Sequence, residues 1–478
     1  MPSAEVLTSD QADRIFSRIR KYATADEVEC LFYGGHSSLT RFANNVIHQN
    51  VAEENFGVSV RTVFAGRTAR ATTNKFDDES LKTVVRASED LARVQEPDRD
   101  LLRVPDAREA SAKLVGSKTE GHVRAREPQP SRHFTETAAL TPVERAQAIG
   151  KMVSLAQERQ LVAAGIFSSS ETVEGVVNSR GLNQWHSQTS AEISVTMLGG
   201  DSSGWQKANS PNVENLDPEE LASIAAEKAT RSRGPREIPP GKYTVVLEPS
   251  AVLDMVGFAF VDFGGLAILD QRSFLNNRVG TRLFGENITI WDDVGHPLQS
   301  GSPFDGEGVE RQPVQLVEKG VIQRLVYARA SAEKMKKSEH AGNVGSVEVT
   351  GHGFPLPNEI GEAPMNIVFE APRETKTVAE MISSTQRGIL VTRLWYIREV
   401  DPYEKILTGM TRDGTFLIED GKLACGLRNF RFNQSLIDML SQVDEMSTPV
   451  RTSGEESFDM VVPAMKVRDF NFTEVTKF

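Results

Sequence analysis

The histidines of this chain are the first residues to consider, because two imidazoles at the right spacing can hold a metal ion. A helical zinc motif needs two of them one turn apart on one face. No two of the eight lie that close: they are His36, His48, His122, His133, His186, His296, His340 and His352. The best candidate pair is His340 with His352, since the glycines of EHAGNVGSVEVTGHG could let a loop bring them together. Otherwise they are exposed loop histidines, or His352 hydrogen-bonds backbone in a tight turn.

Three aspartates offer acid–base chemistry that needs no metal. Asp254, Asp262 and Asp270 recur at eight-residue intervals along an apolar segment. Eight residues is slightly more than two helical turns, so the three carboxyl groups could share one face of a helix. Paired acids with separated pKa values can catalyse proton transfer. Helix capping, turn formation and ion pairing are the alternative roles for these residues.

A third concentration of functional side chains lies between residues 387 and 412, beside predicted strands. Its members are Trp395, Tyr396, Arg398, Glu399, Asp401, Tyr403 and Arg412. Aromatic rings supply contact area and charged groups fix the polar parts of an extended ligand, so this mixture predicts a peptide-binding wall. The alternative is a strand whose outer face makes ion pairs at a subunit interface. A catalytic site built around His352, Glu399 and Asp401 is a further hypothesis.

Size, charge and cysteine content narrow the class of protein. A chain of 478 residues exceeds what one hydrophobic core usually supports, so two or three domains are expected. The net charge of -12 disfavours nucleic-acid binding, which depends on clustered Lys and Arg. Two cysteines are too few for a disulfide framework. The sequence shows no signal-peptide pattern and no apolar run long enough to span a membrane, so we expect a soluble, cytoplasmic protein.

The N-terminal elements that would support these residues alternate between helix and strand. Residues 1–95 predict an α+β unit, with a helix that starts near Thr8, several strands, and a second helix over 80–94. Residues 96–140 lose this periodicity and gather proline and charged residues. Such a composition predicts a long surface connection.

A second α+β unit is predicted over 141–235. Thr141 as N-cap, Pro142 at the first helical position and Glu144 three residues after the cap mark its first helix. The predicted strand pieces that follow are 162–169, 172–178, 183–188 and 191–198. Because helix, strands, helix occurs twice, we expect the two units to pack as one α+β layer.

Residues 241–478 predict a β-rich domain. Segments with alternating or continuous apolar residues are separated by glycine-containing turns, which favours a strongly curved antiparallel sheet. The apolar run 251–260 is long enough for a helix across the core of this domain. The predicted fold class of the whole chain is therefore α+β.

Several segments resemble, in the same order, the TldD/PmbA family, also called TldD/TldE or modulator of DNA gyrase. They are LTRFANNVIHQNVAEENFGVSVRTVFAGRTARATTN, VVNSRGLNQ, TGHGFPLPNEIGEAPMNIVFE and RGILVTRLWYIREVDPYEKILTGMTRDGTFLIEDGKL. Together they extend over most of the chain. The resemblance implies a cytoplasmic peptidase that is assembled from two related subunits, TldD and TldE, and that cleaves peptides in an enclosed chamber.

The same resemblance implies zinc in the TldD subunit, held by HExxxH on a core helix and by a third ligand downstream. The corresponding helix here resembles residues 251–265, AVLDMVGFAFVDFGG, which contain neither His nor Glu. The third-ligand region falls at LWYIREVD, where Trp395 and Tyr396 are not ordinary zinc ligands. We therefore expect this chain to bind no zinc of its own.

Three functions are compatible with this pattern. The first is a TldE-like, non-catalytic subunit that forms a heterodimer with a zinc-bearing TldD-like partner and acts with it on peptides, without nucleic acid or membrane. The second is an active homodimer that processes peptides or specialised metabolites through a rearranged site. The third is a non-enzymatic protein that binds a peptide or toxin.

Overall fold

A computed structural model describes residues 6–111 and 130–476 of the chain, and its N-terminal half consists of two similar α+β units. The elements of this half, in chain order, are α1 (Ser9–Tyr22), β1 (Glu27–Ala43), β2 (Val46–Phe64), β3 (Arg67–Thr73), α2 (Asp78–Val94), α3 (Ala107–Ala110), α4 (Thr135–Ala138), α5 (Pro142–Glu158), β4 (Val162–Asn178), β5 (Asn183–Leu198), β6 (Ser203–Ser210), a 3-10 turn (Val213–Asn215) and α6 (Pro218–Arg231). The long helices α1, α2, α5 and α6 flank the strands of their own unit.

The six strands of this half form one antiparallel sheet. Their order is β3-β2-β1-β4-β5-β6, so each unit contributes three neighbouring strands. The units meet where β1 pairs with β4, along a ladder that runs from Glu29↔Asn178 to Phe42↔Gly165. The predicted packing of both units as one α+β layer is confirmed.

Side-chain caps explain where the helices begin. Thr8 and Gln11 form a capping box at the start of α1, and Thr141 and Glu144 form another at the start of α5, where Pro142 is the first helical residue. Each box satisfies backbone N–H groups that have no partner within the helix. The predicted helix starts near Thr8 and at Thr141 are confirmed.

The four strand pieces predicted for the second unit are wrong, because they form two continuous strands. Pieces 162–169 and 172–178 are both part of β4, and pieces 183–188 and 191–198 are both part of β5. The residues at the breaks, Ser170, Glu171, Thr189 and Ser190, are all polar, so they carry no apolar alternation, even where one of them, Thr189, is buried. Hydrogen bonds to the neighbouring strands keep them extended without that signal.

The predicted surface connection at 96–140 is partly anchored in the protein. Residues 112–129 of this segment, which include His122, lie outside the described residues. In the described part, Val104 is buried and Arg132 is buried as well. The Arg132 guanidinium donates to backbone carbonyl groups of Val294 and His296 in the C-terminal half. This segment therefore helps to dock the two halves of the chain.

The C-terminal half is dominated by short strands. Its elements, in chain order, are β7 (Gly241–Leu247), α7 (Pro249–Val256), a 3-10 helix (Gly257–Phe263), α8 (Gly265–Leu269), β8 (Ile290–Asp292), β9 (Val314–Glu318), β10 (Val321–Ile322), α9 (Arg329–Lys337), a 3-10 turn (Ala341–Asn343), β11 (Ile367–Phe369), α10 (Val378–Ser383), β12 (Arg387–Val391), β13 (Leu394–Asp401), β14 (Ile406–Thr411), β15 (Thr415–Glu419), β16 (Lys422–Gly426), β17 (Phe430–Ser435), α11 (Leu436–Ser441), β18 (Val443–Met446), β19 (Val450–Thr452), β20 (Met460–Val462) and β21 (Met465–Val475).

These strands form two sheets. One has the order β10-β9-β8-β11-β20-β19, and the other has the order β13-β14-β17-β21-β7-β12-β15-β16, with β18 added beside β21. Most pairs are antiparallel, but β11 with β20 and β7 with β12 are parallel. The largest apolar core of the chain lies in this half and includes α7. The α+β fold class is confirmed, and the two parallel pairs are features that the sequence pattern did not predict.

The core segment predicted as one helix is broken into three helical pieces. α7 ends at Val256, a 3-10 helix covers Gly257–Phe263, and α8 begins at Gly265. At Gly265 a side-chain Cβ would collide with the Tyr327 ring, so the backbone approaches its neighbours more closely than a regular helix with side chains allows. Within the described residues, no helix is both long enough and apolar enough to cross a membrane.

A buried group of charges fastens the N-terminal sheet to the C-terminal half. The Glu29 carboxylate of β1 accepts hydrogen bonds from Arg61 of β2 and Arg70 of β3. The Arg70 guanidinium also donates to the carbonyl oxygen of Leu356. Since Arg61 is only 1% exposed, its charge depends on Glu29 for compensation.

We expect the Glu29→Ala variant to be strongly destabilised, because it leaves the buried guanidinium group of Arg61 and the half-buried one of Arg70 without their carboxylate. Breaking a buried pair in this way costs about 3–5 kcal/mol. Urea unfolding monitored by circular dichroism would measure the loss. The matched control is Lys151→Ala, which breaks an exposed ion pair with Glu219 and should change the midpoint little. If both variants shift the urea midpoint by the same amount, the role of Glu29 is contradicted.

Candidate functional site

The core helix α7 and the strand β13 meet at a buried carboxyl group. Asp254, on α7, is fully buried, and its Oδ1 atom accepts a hydrogen bond of 3.4 Å from the backbone N–H of Glu456. Its Oδ2 atom has no hydrogen-bond partner among the described residues. Burial raises the pKa of Asp254 to about 7, and the positive charge of Arg393 opposes this rise. The two regions that the sequence singled out, 251–265 and LWYIREVD, are therefore brought together here.

Arg393 precedes β13 and belongs to a group of two arginines and two tryptophans. Its guanidinium carbon lies 4.2 Å from the ring centre of Trp205 and 5.0 Å from that of Trp395. The guanidinium of Arg412 lies 4.8 Å from the same Trp395 ring. We call these four residues the arginine–tryptophan cluster. It joins β6 of the N-terminal sheet to β13 of the C-terminal half.

One carboxylate balances both arginines of the cluster. Asp413 Oδ2 accepts a hydrogen bond of 2.8 Å from Arg393 Nη1 and lies 3.5 Å from Arg412 Nε. Burial lowers the pKa of Arg393, and Asp413 opposes this effect. Trp205 is fixed in turn by a hydrogen bond from its indole N–H to Ser194. The positive charge of Arg393 is therefore fixed in place, and it acts on the buried carboxyl group of Asp254.

A loop formed by residues 453–459 covers this region. Gly454 lies so close to Asp254 that a Cβ on it would approach the Oδ1 atom to 2.6 Å, and a Cβ on Gly257 would collide with Ser457. The backbone N–H of Tyr396 donates to Glu456 Oε1 at 2.7 Å. The loop thus occupies the space between the end of α7 and the bulged part of β13.

His352 is buried and both of its ring nitrogens have partners. Nε2 lies 2.8 Å from Asp292 Oδ1, and Nδ1 lies 2.9 Å from Thr350 Oγ1. Burial acts to raise the pKa of Asp292, but the charge and hydrogen bond of His352 outweigh it and lower this pKa. His340 lies before a 3-10 turn and shares no hydrogen-bond partner with His352 in the described part of the chain. The structure does not bring the two histidines together as a metal-binding pair.

The other two residues of the hypothetical rearranged site have separate surroundings. Glu399 lies 2.6 Å from the ammonium group of Lys405, and Asp401 Oδ1 accepts the backbone N–H groups of Tyr403 and Glu404. No hydrogen bond between described residues connects either of them to His352. Glu399 compensates a buried lysine and Asp401 shapes a turn.

The aspartates at eight-residue intervals do not share a helix face, so that prediction is wrong. Asp254 lies on α7, whereas Asp262 lies on the following 3-10 helix and pairs with Lys405 at 2.5 Å. Asp270 follows α8 and pairs with Arg272 near the surface. The break in the helix turns the three carboxyl groups in different directions.

Four of the seven residues of the predicted peptide-binding wall lie in one area. Trp395 and Arg412 belong to the arginine–tryptophan cluster, while the Arg398 guanidinium lies 4.4 Å from the ring centre of Tyr396. We call these four residues the aromatic surface. Tyr403 is separate, because its ring contacts Arg278 at 3.8 Å.

Comparison with known proteins matches this architecture in three consecutive parts. Family models described as PmbA/TldA metallopeptidase domain 1, central domain and C-terminal domain match residues 28–92, 135–233 and 240–474. The three matches extend over most of the chain.

The chain belongs to the TldD/PmbA family.

Relatives and solved structures agree with this assignment. The metalloprotease PmbA of Escherichia coli O157:H7 is 20% identical over 88% of this chain and 87% of its own length. TldE from Thermococcus kodakarensis has a TM-score of 0.80 at 19% identity, over 97% of this chain and 99% of that one. A structure named as a modulator of a DNA gyrase, from Thermotoga maritima, has a TM-score of 0.78 at 19% identity, over 97% and 99%. The chain spans about half the length of the curated archaeal relatives it matches.

The residues at the junction of α7 and β13 do not fit the zinc site that the TldD/PmbA resemblance implies for the catalytic subunit. α7 presents the single carboxyl group of Asp254, on which the positive charge of Arg393 acts. In residues 6–111 and 130–476, no three His, Cys, Asp or Glu side chains come together in a way that could hold a metal ion. Zinc hydrolysis requires several such ligands and an open position for water, so we derive no zinc-dependent step for this chain.

Sequence reasoning missed Arg393, Trp205, Asp413 and Glu456. Arg393 and Asp413 stand beside residues that were singled out, so the concentration of arginine and tryptophan in 387–412 was a usable signal. Trp205 and Glu456 had no such signal, because their partners lie in distant parts of the chain.

We expect the Asp254→Asn variant to lose a pH dependence of stability. In the folded chain the pKa of Asp254 is raised from 3.8 to about 7, so the stability difference between variant and wild type changes within this window. As pH rises through it, the unfolded chain releases the proton while the folded chain keeps it, and the wild type loses stability. Above about pH 7 this loss is complete.

Thermal unfolding of both proteins at pH 5 and pH 8 would measure the effect. Between pH 5 and pH 8, the unfolding temperature of the variant should rise relative to that of the wild type. A difference between the two proteins that is the same at both pH values would show that Asp254 does not titrate in this range.

Proposed function

We propose that this chain is a TldE-like, non-catalytic subunit of a two-subunit peptidase. One observation carries the proposal: the junction of α7 and β13, which corresponds by the family resemblance to the zinc site, holds Arg393, fixed by Trp205, Trp395 and Asp413, whose positive charge acts on the single carboxyl group of Asp254. A divalent cation at this place would be repelled by the fixed guanidinium. The membership of the chain in a metallopeptidase family is the second support.

In this proposal the partner is a TldD-like subunit that carries the zinc. Hydrolysis would be attack of water on a peptide carbonyl, assisted by the partner's metal ion. The present chain would supply walls of the chamber and orient an extended peptide, a role for which the aromatic surface offers rings and guanidinium groups. We place the complex in the cytoplasm, as the family resemblance implies.

The proposal predicts that peptide cleavage depends on both subunits. This chain, a purified TldD-like chain from the same organism, and their mixture would each be incubated with a labelled unfolded peptide. We expect a discrete heteromeric complex in size-exclusion chromatography and cleavage that rises sharply in the mixture and is lost on chelation. If no complex forms, the assignment fails. If this chain cleaves the peptide alone, the rearranged-site hypothesis replaces it.

Two conservative variants separate these hypotheses further. With Glu399→Gln or Asp401→Asn, the mixture should cleave the peptide at a rate within about twofold of the wild-type mixture, because neither residue is assigned a catalytic role here. The control is the yield of complex, which shows that both variants still fold and assemble. A loss of cleavage in a complex that still forms would favour a rearranged active site.

A further inference from the structure

The strand β13 ends its sheet and carries an irregular segment in its middle. It is the first strand in the order β13-β14-β17-β21, so its outer edge pairs with no other strand of the described chain. Trp395 pairs with Met410 and Arg398 with Thr408, which leaves Tyr396 and one neighbour outside the regular register as a bulge. Bulges at sheet edges re-aim side chains and expose backbone groups for other partners.

Tyr396 adopts a backbone conformation that is costly for its residue type. Its φ angle is +56°, in the left-handed region that favours glycine. Non-glycine residues held there cost about 1–3 kcal/mol and occur preferentially at ligand-binding sites. The ring of Tyr396 is nevertheless 53% exposed, so burial of apolar surface does not offset this cost.

A carboxylate stabilises the strained residue. Glu456 Oε1 accepts the backbone N–H of Tyr396 at 2.7 Å, and Glu456 Oε2 lies 3.8 Å from Arg398 Nη1. Arg398 in turn contacts the Tyr396 ring. The carboxylate therefore occupies a receptor made of one backbone amide and one guanidinium group, which is the chemistry that recognises a carboxylate in general.

The charges around this receptor favour an acidic ligand. The side chain of Arg398 is 60% exposed and that of Arg412 is 48% exposed, whereas that of Glu456 is 13% exposed. Asp413 pairs with both Arg412 and Arg393, so a single carboxylate serves two guanidinium groups. The accessible charged groups of the aromatic surface are thus its two guanidinium groups, because the carboxylates that pair with them are shielded, Glu456 at 13% and Asp413 at 6% exposed.

We propose that the outer edge of β13 binds an acidic, extended peptide segment, and that Glu456 fills its carboxylate position from within the chain. The proposal rests on the proposed function, because it names the class of peptide that the subunit orients. An incoming Asp or Glu side chain would accept the Tyr396 N–H and approach Arg398, while the Glu456 carboxylate turns to water. Tyr396 and Trp395 would supply the apolar contacts to neighbouring residues of the peptide.

The loop that carries Glu456 need not leave its place for this exchange. Lys207 Nζ donates to the carbonyl oxygen of Gly454 at 3.0 Å, and Asn209 Nδ2 donates to Asp459 Oδ2 at 2.6 Å, so β6 holds both ends of the loop. A rotation of the Glu456 side chain is sufficient to free the amide. Glu456 therefore competes with the peptide for the same site. The apparent affinity for the peptide is the intrinsic affinity multiplied by the fraction of the protein in which Glu456 has left the site.

Fluorescence anisotropy with the full-length chain alone tests the proposal. The probe is a labelled, unstructured peptide with several glutamates, and the matched control peptide has glutamine at the same positions. We expect the acidic peptide to bind more tightly than its control at low salt, with a difference that shrinks as salt rises. Equal binding of the two peptides, or no binding of either, would overturn the proposal.

Variants distinguish the receptor from a general charge effect. Glu456→Ala should tighten binding of the acidic peptide, and Arg398→Gln should weaken it about tenfold through the loss of a charge-assisted contact. Arg86→Gln removes an exposed charge on α2, far along the chain from β13, and should change nothing. An equal loss in Arg398→Gln and Arg86→Gln, or unchanged binding in Glu456→Ala, would contradict the proposal.

Tyr396→Gly provides a further test that does not depend on a destabilising change. Glycine accepts the left-handed conformation at no steric cost, so the variant should unfold at a temperature no lower than the wild type. It should still lose affinity for the acidic peptide, because the ring is gone. Retained affinity would show that Tyr396 is not part of the site.

These measurements need no partner subunit. Failure of the acidic peptide to bind removes only the inference about β13, whereas failure to form a complex with a TldD-like chain removes only the proposed function.

Discussion

A buried guanidinium group needs both a carboxylate and polarisable surroundings, and Arg393 obtains them from two halves of the chain. Trp205 belongs to the N-terminal sheet, while Trp395 and Asp413 belong to the C-terminal half. Cation–π contacts gain strength when water is excluded, and the contact of Arg393 with Trp205 forms only when the halves are docked. The same cation fixes the electrostatic character of the junction between α7 and β13. The architecture of a metallopeptidase family is thereby retained around a junction that holds a fixed arginine near a single buried carboxyl group.

Backbone strain near this junction is matched by charged partners. Tyr396, Lys405 and Asp413 all have positive φ angles, and each makes a contact that a relaxed backbone would place elsewhere. The Tyr396 amide bonds to a carboxylate, Lys405 is buried between two carboxylates, and Asp413 bonds to Arg393. Charge-assisted contacts of this kind offset conformational costs of similar size. The segment from β13 to β15 therefore combines these charged contacts with the buried apolar side chains of Leu394, Ile397 and Leu407.

Local signals in the sequence predicted local structure well. The Thr141, Pro142 and Glu144 pattern marked a helix start because a capping box is complete within four residues. The recurrence of helix, strands and helix likewise predicted the two units of the N-terminal layer. The family resemblance, carried by several segments in order, was confirmed by matches over most of the chain.

What the sequence did not predict depends on contacts between distant segments. The core helix changes to a 3-10 helix at Gly257, where a Cβ would collide with Ser457, and α8 begins at Gly265, where a Cβ would collide with Tyr327. Neither Ser457 nor Tyr327 lies near these glycines in the chain, so the local sequence does not indicate the contacts. The arginine–tryptophan cluster was not predicted for the same reason, since Trp205 lies on β6 of the N-terminal sheet and Arg393 lies just before β13 in the C-terminal half. The prediction that β4 consists of two pieces was wrong for a different reason. Polar residues that neighbouring strands keep extended show no apolar alternation.

The pairing of β1 with β4 has a mechanical consequence. Because the ladder continues without interruption from Glu29↔Asn178 to Phe42↔Gly165, bending one unit against the other would break backbone hydrogen bonds along its whole length. The two units therefore behave as one rigid body, without a hinge between them. Force applied at one end of these long strands is transmitted to the other end, where β1 and β4 meet the charged docking contacts of Glu29. If the N-terminal half moves as one body, the motion therefore occurs at its contacts with the C-terminal sheets.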